Sequence, residues 1–170
     1  MLAGKEILDT LENTFEFSKE YLLIYQVSTK ANKYIQKLAK ELATKNSLEI
    51  IEIPSKINIM KMIFDKKYMQ WTTPEQFVGY FRNAKIVLTT SFHGTAFSLI
   101  YNRPFYVFSL GDDIDNRSKE LLSMVGLENR LIKRNQTQID NNEINWSIVN
   151  KKIIILQEES RSFIKESINK

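Results

Sequence analysis

The segment that most constrains the fold runs from Lys85 to Ile100, where a buried-strand pattern changes abruptly into a helical one. Ile86–Thr89 is β-branched and apolar, as expected of a buried strand. Four apolar residues then recur at helical spacing: Phe92, Ala96, Phe97 and Ile100. Ser91 is the natural N-cap between the two patterns. This segment therefore predicts a strand that passes directly into a helix.

The same alternation of strand and helix patterns continues on both sides of this segment. Three further strands are predicted: Tyr21–Val27, Leu48–Ile53 and Pro104–Phe108. Four further helices are predicted. The first covers Ala31–Leu42, with Ser28 or Thr29 as its N-cap, and the second runs from a Thr73 capping box to about Asn83. The third ends at a C′ glycine, Gly126, and the fourth runs from Trp146 to the end of the chain. The β–α–β order implies parallel strands. Residues 1–170 are thus expected to form one α/β domain, a doubly wound, mostly parallel sheet of four or five strands with helices on both faces.

The composition excludes several classes of protein. There is no cysteine and only one histidine, so a disulfide framework, a thiolate metal site and a His-based zinc site are not expected. No apolar run reaches the ~20 residues of a membrane span. The net charge is +4, but the lysines are scattered, which does not favour nucleic-acid binding. We expect a cytoplasmic protein, either free or peripheral to the inner face of the membrane.

The turn Ser91–Gly94 is the candidate site for chemistry. The amides of Phe92, His93 and Gly94 would open a helix at the carboxyl end of a strand, where free N–H groups and the helix dipole favour an anion. The ionisable imidazole of His93 can add a donor or move a proton there. A purely structural interpretation is also open: Ser91 is only a cap, Gly94 only permits close packing, and His93 is a partly buried, satisfied side chain.

Four segments in order, from Thr73 to Arg130, resemble the C-terminal half of the polysaccharide pyruvyl transferase family. They are Thr73–Phe77, Asn83–Ser98, Asn102–Phe105 and Arg117–Leu122 running into Gly126–Arg130. The resemblance implies one Rossmann-like lobe of a two-lobed fold like that of the GT-B glycosyltransferases. It also implies transfer of a pyruvyl group from phosphoenolpyruvate to a sugar of a capsular polysaccharide or exopolysaccharide, forming a ketal.

The resemblance also implies roles for particular residues. His93 and, less directly, Arg117 would contact the carboxylate and phosphate of the donor, with Ser91, Phe92 and Gly94 completing the donor site. His93 would be the catalytic residue, as a general acid. No cofactor or metal is expected; the partners are phosphoenolpyruvate and a saccharide acceptor, which can be lipid-linked. With the N-terminal lobe absent, the chain alone is expected to have little transferase activity.

Two other functions stay open at this stage. A nucleotide-sugar glycosyltransferase lobe would bind a diphosphate at the same turn and would use an acid such as Glu128 or Asp115 for the ribose. A non-catalytic α/β interaction domain is the third interpretation.

Several residues are secondary candidates for a site. Asp112, Asp113 and Asp115 suit a divalent cation but are more typical of a solvated loop. Arg130 is a cleft residue, or it pairs with Glu128 or with a helix terminus. A further set is assigned mainly to packing, although Trp71 would also suit a sugar platform: Met60, Met62, Trp71, Phe105, Tyr106 and Phe108.

Overall fold

A computed structural model describes residues 18–28, 31–54, 73–111, 116–133, 136 and 139–168. Within these residues there are five strands: β1 Tyr21–Gln26, β2 Glu49–Pro54, β3 Ile86–Thr89, β4 Phe105–Phe108 and β5 Leu131–Ile132. They form one sheet in the order β2-β1-β3-β4-β5, and every pair is parallel. The predicted doubly wound α/β class is confirmed.

Five α-helices are described between and after these strands: α1 Asn32–Asn46, α2 Pro74–Asn83, α3 Phe92–Ile100, α4 Asn116–Val125 and α5 Trp146–Ile168. A 3₁₀ turn, Glu128–Arg130, leads into β5. The predicted helices are therefore present.

The predicted start of α1 is wrong. Its N-cap is Ala31, whose side chain makes no capping hydrogen bond. Ser28 lies three residues upstream of Ala31, too far from the helix to serve as its N-cap, and Thr29 lies outside the described residues.

The two faces of the sheet carry separate apolar clusters. Along β1, Leu22 and Ile24 point to the face that α1 covers with Ile35, Leu38 and Ala39. Tyr21 and Leu23 point to the other face, which α2, α3, α4 and α5 cover. Since successive side chains of a strand alternate between faces, this division explains why β1 is a continuous apolar run.

Local chemistry sets the ends of several elements. The side chain of Thr73 accepts from the amide of Gln76, and Gln76 Oε1 accepts from the amide of Thr73, which confirms the predicted capping box. Gly126, at φ 74°, follows α4 as predicted. The two-residue strand β5 was not predicted, because two residues carry no periodic signal.

The terminal helix α5 is attached to the domain by its first half. Val149 and Ile153 are buried in the core, and Trp146 and Leu156 pack against it. Residues 158–168 are all exposed. The second half of α5 therefore adds no buried surface to the described part of the chain.

Candidate functional site

The strand order reverses between β1 and β3, so their carboxyl ends meet at the switch point of the sheet. β1 pairs with β2 on one side and with β3 on the other. The amide of Val27 donates to Oγ1 of Thr90 at 3.0 Å, which ties the two ends together. In open α/β sheets, ligands bind in the crevice outside such a point. The turn Ser91–Gly94 lies at this edge.

The hydroxyl of Thr89, the last residue of β3, fixes the position of the turn Ser91–Gly94 through two hydrogen bonds. Its Oγ1 donates to the carbonyl of Tyr25 at 2.7 Å and accepts from the amide of Ser91 at 3.0 Å. Thr89 is fully buried. One hydroxyl therefore joins the end of β1, the end of β3 and the start of α3. Sequence reasoning assigned no role to Thr89; its only signal is a polar residue ending a buried strand.

Gly94 packs directly on Thr89. A Cβ at Gly94 would lie 2.2 Å from Oγ1 and 2.9 Å from Cβ of Thr89. Because both hydrogen bonds of Thr89 hold that side chain in place, only glycine fits at this position. The packing role considered for Gly94 is thus confirmed, and it brings the first turn of α3 close against β3.

Ser91 caps α3 as predicted, and His93 faces solvent. Oγ of Ser91 accepts from the amide of His93 at 3.2 Å. Within the described part of the chain, the amides of Phe92 and Gly94 donate to no acceptor. His93 is exposed, so the interpretation of it as a partly buried, satisfied histidine is wrong. An exposed imidazole and two unpaired amides, one on the half-buried Phe92 and one on the buried Gly94, therefore lie at this edge.

The ring of Phe92 contacts both His93 and Arg117. The Phe92 and His93 rings meet edge to face with centroids 5.9 Å apart. Cζ of Arg117, in the first turn of α4, lies 5.2 Å from the centroid of Phe92. An arginine over an aromatic face is held there by a cation–π interaction. The two candidate side chains, from separate helices, are thus brought to one ring.

The structure places Arg130 away from this site. It precedes β5, whose first residue Leu131 pairs with Val107, and it lines a cavity with Lys85 and Pro104, which precede β3 and β4. Arg130 is only 3% exposed and donates to the carbonyls of Asp140 and Asn142, with its Cζ 5.3 Å from the Tyr106 ring centroid. The predicted pairing with Glu128 is wrong, since the two terminal nitrogens of the guanidinium donate to backbone carbonyls, while its Nε has no partner among the described residues. The role as a cleft residue stays a prediction.

Among the described residues, no hydrogen bond or ion pair joins an acid considered for a nucleotide ribose to the Ser91–Gly94 turn. Glu128 begins the 3₁₀ turn before β5. Near the carboxyl end of β2, the two carboxylate oxygens of Glu52 accept from Nε2 of Gln26 and Nε2 of Gln36. The remaining candidates fall outside the described residues: Met60, Met62, Trp71, Asp112, Asp113 and Asp115. Phe105, Tyr106 and Phe108 are core residues, as predicted.

Two kinds of feature are absent from the described residues. No group of three or more His, Cys, Asp or Glu side chains there is arranged to hold a metal ion. None of the helices in the described ranges combines the length and apolar character of a membrane span.

These features define a parallel α/β domain with a potential anion site at its switch point. Residues 6–112 match the family model for polysaccharide pyruvyl transferases, which is more than half of the chain. The chain belongs to the polysaccharide pyruvyl transferase family. The match includes Ser91–Gly94 but ends before Arg117. No curated protein and no solved structure matches the chain.

Proposed function

We propose that the chain is the donor-binding lobe of a transferase that moves a pyruvyl group from phosphoenolpyruvate to a sugar of a capsular polysaccharide or exopolysaccharide. The observation that carries this proposal is the exposed His93 at the switch point, with Arg117 in contact with the same Phe92 ring. Membership of the family supplies the reaction class.

The charges at the turn suit phosphoenolpyruvate. This donor carries a carboxylate and a phosphate on a three-carbon unit, so it needs two anion-binding groups a short distance apart. The amides of Phe92 and Gly94 and the dipole of α3 would receive one anion. The guanidinium of Arg117 would receive the other through paired N–H donors. The ring of Phe92 would hold Arg117 in place during binding.

The proposed reaction needs one proton at carbon and one leaving group. His93 as the imidazolium gives a proton to the methylene carbon of phosphoenolpyruvate, which becomes the methyl group. One sugar hydroxyl adds to the central carbon, and a second displaces the phosphate. The two hydroxyl protons return one proton to His93 and leave the other on inorganic phosphate. Arg117 and the α3 dipole stabilise the departing phosphate charge.

The lobe supplies only half of the proposed active site. In a GT-B-like arrangement the acceptor sugar, lipid-linked or free, would be held largely by a second lobe across a cleft. We therefore expect little turnover from this chain alone, and we place the reaction in the cytoplasm or at the inner face of the membrane. Binding of the donor does not need the second lobe and is the property to measure.

A thermal-shift titration with phosphoenolpyruvate tests the proposal. At a hundredfold excess over Kd, a single site stabilises by about 2.7 kcal/mol, which is a shift of several degrees in Tm. His93→Ala is expected to abolish most of this shift, whereas Arg161→Ala, on the exposed half of α5, should retain it. If UDP or GDP stabilises the chain and phosphoenolpyruvate does not, the site is that of a nucleotide-sugar glycosyltransferase. If none of the three changes the Tm, a non-catalytic domain is favoured.

A further inference from the structure

A cavity of about 530 Å³ lies at the amino edge of the sheet, opposite the donor site. Ile86, the first residue of β3, lines it, together with the residue that precedes each of the five strands: Glu20, Leu48, Lys85, Pro104 and Arg130. The last turn of α1 and the start of α5 form its walls. The volume is in the range of small-molecule sites, roughly 300–1,000 Å³.

The lining combines an aromatic ring, apolar surface and side-chain amides. Trp146, the first residue of α5, is only partly buried and offers its indole. Three amide side chains join it: Asn46, Asn141 and Asn142. An apolar ring that stacks on the C–H face of a sugar, beside amides that bond its hydroxyls, is the chemistry that recognises a saccharide.

The charges around the cavity nearly balance. Three cations and two carboxylates line it: Lys45, Lys85, Arg130, Glu20 and Glu143. Lys85 Nζ lies 2.7 Å from a carboxylate oxygen of Glu20, and the guanidinium of Arg130 donates to two backbone carbonyls. With a single excess positive charge, the cavity has no cluster of like charges for an ionic ligand, and its neutral amides and indole suit a neutral sugar.

One wall of the cavity is held rigid by hydrogen bonds. The hydroxyl of Tyr106 donates to the carbonyl of Asp140 at 2.9 Å and to Oδ1 of Asn141 at 3.2 Å. The carboxylate of Asp140 accepts from the amide of Asn142 at 2.8 Å. These bonds fix the segment 140–142 before any ligand arrives, which lowers the entropic cost of binding.

We propose that this amino-edge cavity binds a neutral hexose unit of a saccharide, as a second site separate from the site of pyruvyl transfer. The inference rests on the proposed function for its ligand class. The two sites lie at opposite edges of the same sheet, so this one would hold a part of the polymer remote from the reacting sugar.

The test is an NMR titration of the isotope-labelled chain with methyl hexosides of glucose, galactose and mannose, and with cellobiose. The indole N–H of Trp146, distinguished from that of Trp71 in a Trp71→Phe background, is expected to shift saturably, with millimolar affinity for at least one sugar. The His93 signals should stay in place.

Asn46→Ala has a close control in Asn83→Ala. Each side chain is the last residue of a helix and donates to the carbonyl four residues earlier, at 2.8 Å for Asn46 and 2.9 Å for Asn83. Only Asn46 lines the cavity. We expect Asn46→Ala to weaken sugar binding about three- to tenfold, the value of one hydrogen bond, and Asn83→Ala to leave it unchanged.

Absence of a Trp146 shift with all four sugars overturns the inference, as does equal weakening by both alanine variants. The outcome is separable from that of the donor site. Loss of the phosphoenolpyruvate effect in His93→Ala tests the donor site alone, since Asn46 lies at the other edge of the sheet.

Discussion

The guanidinium of Arg117 lies over the ring of Phe92, 5.2 Å from its centroid, and so holds the first turn of α4 against the first turn of α3. The two helices follow β4 and β3, neighbouring strands whose carboxyl ends share one edge of the sheet. Arg117 is thereby positioned beside the free amides of α3, although it is 24 residues away from His93 in the sequence. The proposed donor site is therefore formed jointly by the first turns of α3 and α4.

Replacement of Arg117 is expected to weaken donor binding without unfolding the chain. Arg117 is exposed, so Arg117→Ala should change the free energy of unfolding by less than about 1 kcal/mol. The thermal shift produced by phosphoenolpyruvate should fall to a small fraction of the original, because a paired anion contact is lost. Lys119→Ala, an exposed cation two residues along α4, is the control and should retain the shift. Equal losses in both variants would show that only net charge matters.

Gly94→Ala is expected to destabilise the chain by about 1–3 kcal/mol and to abolish donor binding. The new methyl group meets Thr89, which two hydrogen bonds prevent from moving. The comparison is Gly126→Ala, where the strain comes from a φ of 74° and the Cβ meets only the mobile end of Lys152. Both variants should lose stability in urea denaturation, but Gly126→Ala should still respond to phosphoenolpyruvate. A fully stable Gly94→Ala would refute the close contact with Thr89.

Thr89→Val should cost about 1–3 kcal/mol, since it leaves the buried amide of Ser91 without an acceptor. The carbonyl of Tyr25 keeps a second donor, the amide of Thr90 at 3.3 Å, so the bond that it loses contributes less to the destabilisation. Thr89→Ser keeps the hydroxyl and removes one methyl group, with an expected loss of about 0.8 kcal/mol. Denaturant unfolding of the pair measures the difference. A serine variant as unstable as the valine variant would assign the effect to packing.

The stability of the chain should fall at alkaline pH, partly through Tyr21. Burial raises the pKa of Tyr21 well above its ordinary value of 10.0, and its hydroxyl donates to the carbonyl of Tyr80 at 2.8 Å. The folded state therefore keeps this proton more tightly than the unfolded state, so the contribution is complete below about pH 10 and is lost as the pH rises further. Tyr21→Phe should reduce the slope of unfolding free energy between about pH 9 and pH 11. An unchanged slope would exclude Tyr21 as a source of the loss of stability at alkaline pH.

The parts of the fold that depend on local sequence were predictable, and those assembled from distant residues were not. The Ser91 cap, the Thr73 capping box and the apolar run of β3 are each contained in a few consecutive residues, so pattern and propensity suffice. The bonds of Thr89 to Tyr25 bring together residues 64 apart. The amino-edge cavity draws on the residues that precede all five strands, a set that no local pattern connects.

Among the site residues, exposure was the property that the sequence left open. A lone histidine after an apolar strand is compatible with burial as well as with a ligand. The Ser91 cap sets the helix start, and the helix phase then turns His93 outward while Gly94 and Thr95 turn inward. The contact of Arg117 with Phe92 depends on how α3 and α4 cross, which is a tertiary property.

The attachment of α5 by its first half has a consequence for local opening. Within the described part of the chain, its last three turns bury no side chain, and the hydroxyls of Ser160 and Ser167 donate to carbonyls four residues earlier. Amide hydrogens there should exchange with solvent fastest, and the exchange rate should decrease from Ile168 towards Leu156, where contact with the core begins. A fluorophore or tether placed on those turns would report on the molecule without disturbing either edge of the sheet.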